Sequence, residues 1–493
     1  MVKKYKKFAE DIGLVGIANL LSNFKNLLLV PLLTKCIGLN DYGAWSQFKT
    51  TLLLLVPFVT FGVHNSLVRF LAGQENKRDI SRDFYSSLFL SLINGLIFAI
   101  IFFVLSGLLS QWIFRSNNYI TMVKLLGVIL IPESLSLLLL EYLKTFRHMR
   151  LYFITIFMEI TSELLLILFA IAKGYGIIGV IISILIIRVL FVLIRYKRLY
   201  SEIGFDLPAV KFIKRNIIYG LPLTISYIFF FVLNSGDRYV INYYLGLHYV
   251  SIYSVAYSLA YIVVLVTAPI GYILYPTLSA MYNNGNYKEA SAYIKYCSKY
   301  IIIIGMFFVW MILGSSRQLI LMLSTQEFLP ATIIMPLLLA GMFIFQIAII
   351  NEYSIILFNR TGLVMILHLI LAIINIGLNI IIVPYMGMMG AAVVTLLTFI
   401  IFAFFTIIYS QRFIKFEFDF VATGKSIIAA IVIFAIFLFL NPQSVIKIFS
   451  LMIATAVVYL VLLFVLRTFE DKEILLFKNI IKSVYENIRP HKV

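Results

Sequence analysis

The sequence predicts an all-α polytopic membrane protein of about fourteen transmembrane helices, with two six-helix bundles that are parallel repeats and two further helices after them. Composition is the first observation behind this prediction. Of the 493 residues, 62% are hydrophobic and only 13% are charged, and the mean hydropathy is +1.02. Soluble domains carry roughly a quarter charged residues, so a water-soluble globular protein is excluded. The apolar runs and an internal repeat are the other two observations.

Apolar runs of about 20 residues, the length that crosses the hydrocarbon core of a bilayer, occur along the whole chain. The first run has no small-residue cleavage site and is followed by further runs, so we expect a retained helix rather than a signal peptide. No loop exceeds roughly twenty residues, so we expect no soluble domain outside the membrane. In chain order, the predicted spans begin near Ile12, Lys49, Phe84, Tyr119, Tyr152, Gly176, Ile217, Val250, Lys299, Ala331, Gly362, Gly387, Lys425 and Phe449.

The second half of the chain repeats the first in a diverged form. The segment 34–46 (TKCIGLNDYGAWS) recurs as 242–254 (NYYLGLHYVSIYS), with Gly38 falling on Gly246. Nearly the same offset places the Glu-Tyr pair 141–142 on 352–353 and the Gly-x-x-Gly segment 176–179 on 387–390. Duplicated membrane halves are typical of transporters.

The repeat unit covers about six spans, and because six is even, the second copy starts on the same side of the membrane as the first. We therefore predict an N-lobe at 1–200 with helices 1–6 and a C-lobe at 201–415 with helices 7–12. Residues 416–493 are predicted to hold helices 13–14 and a basic cytoplasmic tail. A cavity is expected between the two lobes.

Basic residues are distributed very unevenly across the predicted loops. Of the 40 Lys and Arg residues, about thirty fall in the tails and alternate loops on one side, which the positive-inside rule assigns to the cytoplasm. We therefore expect a multi-pass protein of the plasma (cytoplasmic) membrane with both termini cytoplasmic. The formal net charge of +18 then reflects orientation and contact with anionic membrane lipids, and no nucleic-acid partner is expected.

Polar side chains form a stripe along the first predicted helix and another along the fifth. Lys25 lies at the edge of the first stripe, and an ionised lysine near mid-membrane costs at least about 2.5–3.5 kcal/mol. Two interpretations remain open: Lys25 faces a hydrated cavity, or it forms a structural ion pair with Glu159 or Glu163. The first stripe consists of Asn19, Ser22, Asn23 and Asn26, and the second of Thr155, Glu159, Ser162 and Glu163.

Glu159 and Glu163 lie one helical turn apart, so two ionised carboxylates would repel each other there. Either one holds a proton or a cation lies between them, which would couple ion movement to transport. Alternatively, nearby Lys25, Arg188 or Asn side chains satisfy both carboxylates. Other intramembrane candidates are Arg69, His64, Glu133, Glu141, Asp237, Arg238, Glu352, His368, Asn375 and Asn379. For Asp237 and Arg238, a local ion pair at a helix end is the favoured use.

Several motifs together resemble a known family. They are the exit of the first helix at 33–43 (LTKCIGLNDYG), the end of the second at 65–72 (NSLVRFLA), Leu221-Pro222 with Asp237-Arg238, and 383–391 (VPYMGMMGA). In order and spacing these resemble the Wzx-type flippases, the polysaccharide transporter branch of the superfamily that also holds MATE multidrug antiporters and lipid II flippases. The resemblance spans nearly the whole chain.

That resemblance implies a transporter, not an enzyme, that moves a polyprenyl-pyrophosphate-linked oligosaccharide from the inner to the outer leaflet by alternating access. We expect Lys25, Arg69, Arg188 and Arg238 to bind the pyrophosphate. Asn19, Ser22, Asn23, Asn26, His64, Asn375 and Asn379 are expected to be polar groups of the cavity. Glu159, Glu163, Asp237 and Glu352 are candidates for ion coupling. Expected partners are the lipid-linked oligosaccharide, membrane lipids and glycan polymerase machinery; the oligomeric state is not set by the sequence, and a monomer is expected.

Neither a cofactor nor a metal site is expected. Gly174-Tyr-Gly176-Ile-Ile-Gly179 matches a dinucleotide fingerprint by letter, but no βαβ unit surrounds it. Three alternatives stay open: a MATE-type drug or cation antiporter, a lipid II flippase and, less favoured, a membrane glycan polymerase. Helices 13–14 and the cavity cations favour a large anionic lipid, and short outer loops disfavour a polymerase.

Overall fold

A computed structural model describes residues 2–283, 285–358, 360–415, 417–475 and 478. Those residues form eighteen α-helices and two short 3₁₀ turns, with no strand in the described ranges. The predicted all-α class is therefore confirmed. The helices arise because apolar runs long enough to span a bilayer must satisfy every backbone hydrogen bond within the segment itself.

Several helices of the first half of the chain begin or end at glycine-containing turns or polar caps. Asn76, for example, caps α4 by accepting a hydrogen bond from the backbone N–H of Arg78 at 3.0 Å. The bounds are α1 (Val2–Cys36), α2 (Leu39–Thr60), α3 (Val63–Leu71), α4 (Lys77–Val104), α5 (Ser106–Phe114), α6 (Ile120–Thr145), α7 (Met149–Ala172) and α8 (Gly176–Ile203), with a 3₁₀ turn at Asn117–Tyr119.

Helices of the second half follow the same order, and two more come after them. The bounds are α9 (Val210–Ser235), α10 (Asp237–Leu245), α11 (Leu247–Ala260), α12 (Ile262–Asn283), α13 (Tyr287–Gly314), α14 (Ser316–Leu323), α15 (Ala331–Leu357), α16 (Thr361–Phe413), α17 (Phe420–Leu440) and α18 (Val445–Val465), with a 3₁₀ turn at Gln326–Phe328. Side chains of Asp419 and Ser444 cap α17 and α18.

Eleven helices of the described ranges are long and apolar enough to cross a membrane, or thirteen if each of two bent helix pairs is one span. One of those pairs is α2 with α3, bent by 51°. The helix α16 has 53 residues and is interrupted at Gly387, where φ is 59° and ψ is −146°. A straight helix of that length would measure about 80 Å, far more than a bilayer core of about 30 Å. The multi-span prediction is confirmed, whereas the count of fourteen stays a prediction.

The internal repeat predicted from sequence is visible in the order of the helices. A long helix, a short helix, a 3₁₀ turn and a long helix (α4 to α6) recur as α13 to α15. The pair α7 and α8 recurs as the two parts of α16 on either side of Gly387. Equivalent turns also share a backbone conformation: φ and ψ are 81° and 170° at Gly38 and 88° and 175° at Gly246. L-residues rarely adopt this conformation, which explains why both copies hold glycine.

The chain forms two compact units, and each has its own core. Unit 1 comprises Met1–Leu259, Ile320–Gly341 and Arg360–Phe402, and unit 2 comprises Ala260–Leu319, Met342–Asn359 and Ala403–Val493. In unit 1, buried Leu67, Phe84, Leu139 and Tyr142 pack α3, α4 and α6 together. In unit 2, α13 packs closely on α17 because Gly314 has no side chain facing Phe437. The lobe boundaries 1–200, 201–415 and 416–493 stay a prediction.

Within unit 1, the two repeats meet through equivalent residues. The hydroxyl oxygens of Ser46 and Ser254 lie 2.6 Å apart, and Ser251 donates a hydrogen bond to the carbonyl oxygen of Leu39. A Cβ atom at Gly43 would lie 2.1 Å from the carbonyl oxygen of Leu247. Ser46 and Ser254 occupy the same place in the two copies, so this contact joins equivalent side chains, as expected for repeats related by a pseudo-twofold axis.

Candidate functional site

Unit 1 contains a cavity of about 540 Å³ among seven helices, α1, α2, α3, α6, α7, α8 and α9. Its size is within the range of small-ligand sites. The apolar part of the wall includes Leu52, Val56, Leu137, Ile156 and Leu223. The polar and charged part consists of Ser22, Lys25, Asn26, Lys49, His64, Asn65, Glu133, Ser136, Tyr152, Glu159, Glu163, Arg188, Thr224 and Tyr227. A polar cavity of this kind among membrane-spanning helices marks a functional-site candidate.

Helix periodicity explains why α1 and α7 each supply several of these groups. Ser22, Lys25 and Asn26 fall on adjoining positions of one face of α1, and Glu159 and Glu163 are one turn apart on α7. The two helices pack against each other. Their polar faces therefore meet at the cavity, while Leu20, Phe24 and Leu28 of α1 remain exposed at the surface of the protein.

Lys25 and Glu163 form an ion pair across α1 and α7. The Lys25 Nζ donates to both carboxylate oxygens of Glu163, at 2.8 and 3.0 Å. The side chains are 13% and 3% exposed, so the pair is largely removed from solvent. The structure combines the two interpretations of Lys25 drawn from sequence, because Lys25 lines the cavity and is also ion-paired with Glu163.

Arg188 bridges two carboxylates on different helices. Its Nε donates to Glu133 Oε1 of α6 at 3.0 Å, and its Nη1 donates to Glu159 Oε1 of α7. The second oxygen of Glu159 accepts from Nη2 of Arg195. Arg195 also donates to Ser136 Oγ at 2.9 Å and to Thr155 Oγ1 at 3.3 Å. Glu159 is therefore paired with two arginines, and Glu163 with Lys25.

Lys49 differs from the other cations of the wall. Its Nζ donates to Asn26 Oδ1 at 2.6 Å and lies 5.8 Å from the ring centroid of Trp45. Among the described residues, no carboxylate oxygen lies within ion-pairing distance of it. An ammonium group has three donors, and one of them is used here. Lys49 is thus the cation of the wall that keeps the most capacity to bind an anion.

His64 is the second residue of α3 and contacts its own neighbours in the chain. Its Nδ1 lies 3.4 Å from Thr60 Oγ1, and its Nε2 lies 3.1 Å from Asn65 Nδ2. Thr60 and Asn65 are one turn before and one residue after it, on α2 and α3. His64 and Asn65 both line the cavity, so this wall offers hydrogen-bonding groups without a fixed charge.

The other residues predicted for the site lie away from this cavity. Arg69 is exposed at the end of α3, and Asn19 and Asn23 do not line the wall. Arg238 pairs with Asp237 at 3.5 Å and stacks over Tyr257, as favoured from sequence. Asn379 donates to Asn375, which donates to Thr398, all within α16. Glu352 is buried on α15, in the part of that helix that belongs to unit 2.

Two charged residues of the site, Lys49 and Arg195, were not among the candidates predicted from sequence. Lys49 marked only the predicted start of a span, whereas Glu133 was one of the intramembrane candidates and does line the cavity. Arg195 was grouped with the basic cytoplasmic residues. In the structure α8 continues to Ile203, so Arg195 lies two turns inside the helix and is 1% exposed. Arg188 and Arg195 are seven residues apart and therefore share a helix face. This spacing is the sequence signal that could have identified Arg195 as a partner of the site together with Arg188.

In the described part of the chain, the charged groups of the wall balance one another: Lys25, Lys49 and Arg188 against Glu133, Glu159 and Glu163. Arg195, immediately behind the wall, adds one more positive charge. Among the described residues, no group of three or more His, Cys, Asp and Glu side chains is arranged to hold a metal ion.

Comparisons with known proteins agree on the fold. A family model described as polysaccharide biosynthesis protein matches residues 8–282. A search of curated protein sequences finds no match. The lipid II flippase MurJ, in an inward closed conformation, superposes with a TM-score of 0.73 at 17% identity, covering 90% of this chain and 97% of that chain.

Two transporters of the MOP superfamily give similar results. A multidrug resistance MATE family transporter in an inward-facing conformation has a TM-score of 0.67 at 16% identity, covering 80% of this chain and 94% of that chain. A MOP superfamily transporter from Pyrococcus furiosus has a TM-score of 0.61 at 16% identity, covering 82% and 95%. At these identities the likeness shows the fold alone.

Proposed function

Since this chain belongs to the polysaccharide biosynthesis protein family and has the fold of lipid flippases and MATE transporters, we propose that it is a flippase for a lipid-linked oligosaccharide. In this proposal it moves a polyprenyl-pyrophosphate-linked sugar chain from the inner to the outer leaflet of the plasma membrane by alternating access. The function is transport, not catalysis. The observation that carries the proposal is the charged cavity within a bundle of membrane-spanning helices.

The chemistry of such a substrate fits a cavity of this composition. A pyrophosphate carries two or three negative charges and the sugars carry many hydroxyl groups, and neither enters hydrocarbon without compensating partners. Lys49, Lys25 and Arg188 supply cations, while Asn26, Asn65 and Tyr227 supply hydrogen-bonding groups for sugars. The prenyl tail needs no protein shelter because it is as apolar as the lipid around it.

We assign the first contact with the phosphate to Lys49, because the other two cations already have carboxylate partners. Lys25 and Arg188 would join by exchanging Glu163, Glu133 or Glu159 for phosphate oxygens. Glu159, Glu163, Asp237 and Glu352 are retained as candidates for ion coupling. Arg69, Arg238, Asn19, Asn23, Asn375 and Asn379 are retained as groups that another conformation of the transport cycle would bring to the substrate.

An inside-negative membrane potential assists this direction of movement. Each negative charge that crosses outward gains about 2.3 kcal/mol at a potential of 100 mV. Transport could therefore proceed without a dedicated coupling ion, provided that the cavity compensates the desolvation of the pyrophosphate.

The decisive experiment measures flipping by the full-length protein in proteoliposomes. The probe is a short-chain prenyl-pyrophosphate disaccharide with a fluorescent label that an impermeant reductant bleaches in the outer leaflet. We expect Lys49→Gln to slow flipping at least about tenfold. A tenfold change corresponds to about 1.4 kcal/mol, which we assign to the lost contact between the Lys49 ammonium and the phosphate. Lys124→Gln is the matched control, because Lys124 lies on α6 over the ring of Phe103 and outside the cavity. A wild-type flipping rate in Lys49→Gln would refute the assignment.

One observation favours a second candidate, a MATE-type cation antiporter. Three carboxylates, Glu133, Glu159 and Glu163, line the cavity and would suit an organic cation. Efflux of cationic dyes from cells that produce the protein separates the two. Our proposal predicts no efflux above that of cells without it. A lipid II flippase differs only in the headgroup, so competition between the two lipids in the flipping assay distinguishes it.

A further inference from the structure

Arg195 is buried behind the cavity rather than in its wall. It is the largest of the fully buried side chains in the described part of the chain, at 1% exposure. Two of its partners, Ser136 and Glu159, line the cavity, while Arg195 itself does not. We propose that Arg195 sets the net positive charge of the cavity and so determines that it takes an anionic ligand. The inference deepens the proposed function and rests on it.

The charged side chains that line the cavity cancel one another. Among the residues that the structure describes, three cations and three carboxylates line the cavity, so this wall alone is neutral. Arg195 is ion-paired to one of those carboxylates and brings the whole cluster to a net charge of plus one. With a neutral residue in its place, the cluster would present no net attraction to a pyrophosphate.

Glu159 connects the charge of Arg195 to the cavity wall, because its two carboxylate oxygens accept hydrogen bonds from two different arginines. Oε1 accepts from Arg188 and Oε2 accepts from Arg195. Arg188 also has Glu133, so the chain Arg195, Glu159, Arg188, Glu133 is neutral. Without Arg195 this chain would carry one negative charge directly beside the cavity and would repel a phosphate.

Each of the three guanidinium nitrogens of Arg195 donates a hydrogen bond, and a buried guanidinium needs such partners. Thr155, Ser136 and Glu159 each accept one of its hydrogen bonds, and the ring of Phe191 lies 5.6 Å from its Cζ. These contacts also tie α6, α7 and α8 together. A purely structural role is therefore the alternative that the experiment must separate from the electrostatic one.

The experiment measures binding of geranylgeranyl pyrophosphate to the full-length protein in nanodiscs, with geranylgeraniol as the uncharged control. We expect Arg195→Gln to weaken pyrophosphate binding about tenfold, which corresponds to one charge acting at a short distance through a partly polar medium. Arg195→Lys keeps the positive charge, so its affinity for the pyrophosphate lipid should stay within about twofold of that of wild type. The double variant Glu159→Gln/Arg195→Gln restores the net charge and should recover most of the loss. Geranylgeraniol binding should not change in any of them.

Two further measurements keep the test decisive if Arg195→Gln does not fold. Glu159→Gln alone raises the net charge by one and should tighten pyrophosphate binding. Arg195→Lys should then match wild type rather than lose affinity. The electrostatic role is overturned if Arg195→Lys is as weak as Arg195→Gln, or if Arg195→Gln and Glu159→Gln both bind like wild type.

A cationic ligand separates failure of this inference from failure of the proposed function. If wild-type protein binds no pyrophosphate lipid but binds a cationic dye, the proposed function is wrong. In that case a charge-setting Arg195 still predicts tighter dye binding in Arg195→Gln. Unchanged dye binding would overturn the role of Arg195 as well.

Discussion

Replacing Glu163 by Gln tests whether the cavity holds its charges as ion pairs. The substitution keeps the shape of the side chain and removes one carboxylate from Lys25, whose Nζ contacts both of its oxygens. Breaking a buried pair by removing one partner typically costs 3–5 kcal/mol, because the remaining charge stays desolvated. Lys25 keeps 13% of its side-chain surface exposed and faces a polar cavity, so we expect the lower end, about 3 kcal/mol.

The assay is reversible unfolding in mixed micelles with an increasing fraction of denaturing detergent, followed by circular dichroism. The matched variant is Lys25→Met/Glu163→Gln, which removes both charges and leaves no uncompensated ammonium. Because neither charge of the pair then remains buried without its partner, this variant should recover most of the loss. The reasoning is refuted if Glu163→Gln is as stable as wild type, or if the double variant is as unstable as the single one.

Three further predictions concern other parts of the structure. Asp83→Asn should destabilise the protein by about 2 kcal/mol, because buried Asp83 accepts from Arg215 and the change removes that ion pair; the charge reversal Asp83→Arg/Arg215→Asp should recover part of it in the same unfolding assay. Gly220→Ala should cost about 1–3 kcal/mol, because a Cβ there would lie 2.3 Å from a backbone carbonyl oxygen of the α2–α3 turn. Gly377→Ala, with nothing within 4 Å, is its control and should be neutral or stabilising. Burial opposes ionisation of Glu473, but hydrogen bonds from Lys299, the Glu470 N–H and Tyr300 outweigh it and hold its pKa below the ordinary value. Its stabilising contribution should therefore be complete above about pH 4.5 and decrease as the pH falls through the lowered pKa, and Glu473→Gln should remove that dependence in unfolding measured against pH.

The sequence was most informative where a signal is periodic or repeated. Apolar length predicted the helical, multi-span class, and the repeated glycines predicted where equivalent turns fall. Gly38 and Gly246 adopt the same backbone conformation, and the span predicted to begin at Gly387 begins at the break in α16. Glycine turns and apolar helix lengths depend only on residues that are close in the chain, so they can be predicted directly from the sequence.

The candidate site was predictable only in part. The stripes of α1 and α7 correctly indicated residues that share a face, and Ser22, Lys25, Asn26, Glu159 and Glu163 all line the cavity. Asn375 and Asn379, which look similar in sequence, instead bond to each other and to Thr398 inside unit 1. A helical stripe identifies a polar face, but it does not identify the neighbour that the face meets.

Sequence alone determined that this chain is a helical membrane protein built from two copies of one helical plan, because hydrophobic length and glycine turns are local properties. Only the tertiary structure decided which charges meet: Lys25 with Glu163, Arg188 with Glu133, and Arg195 behind Glu159. Those partners come from helices far apart in the chain. Electrostatic energy depends on distances of a few ångströms and on burial, and both arise only when the helices pack.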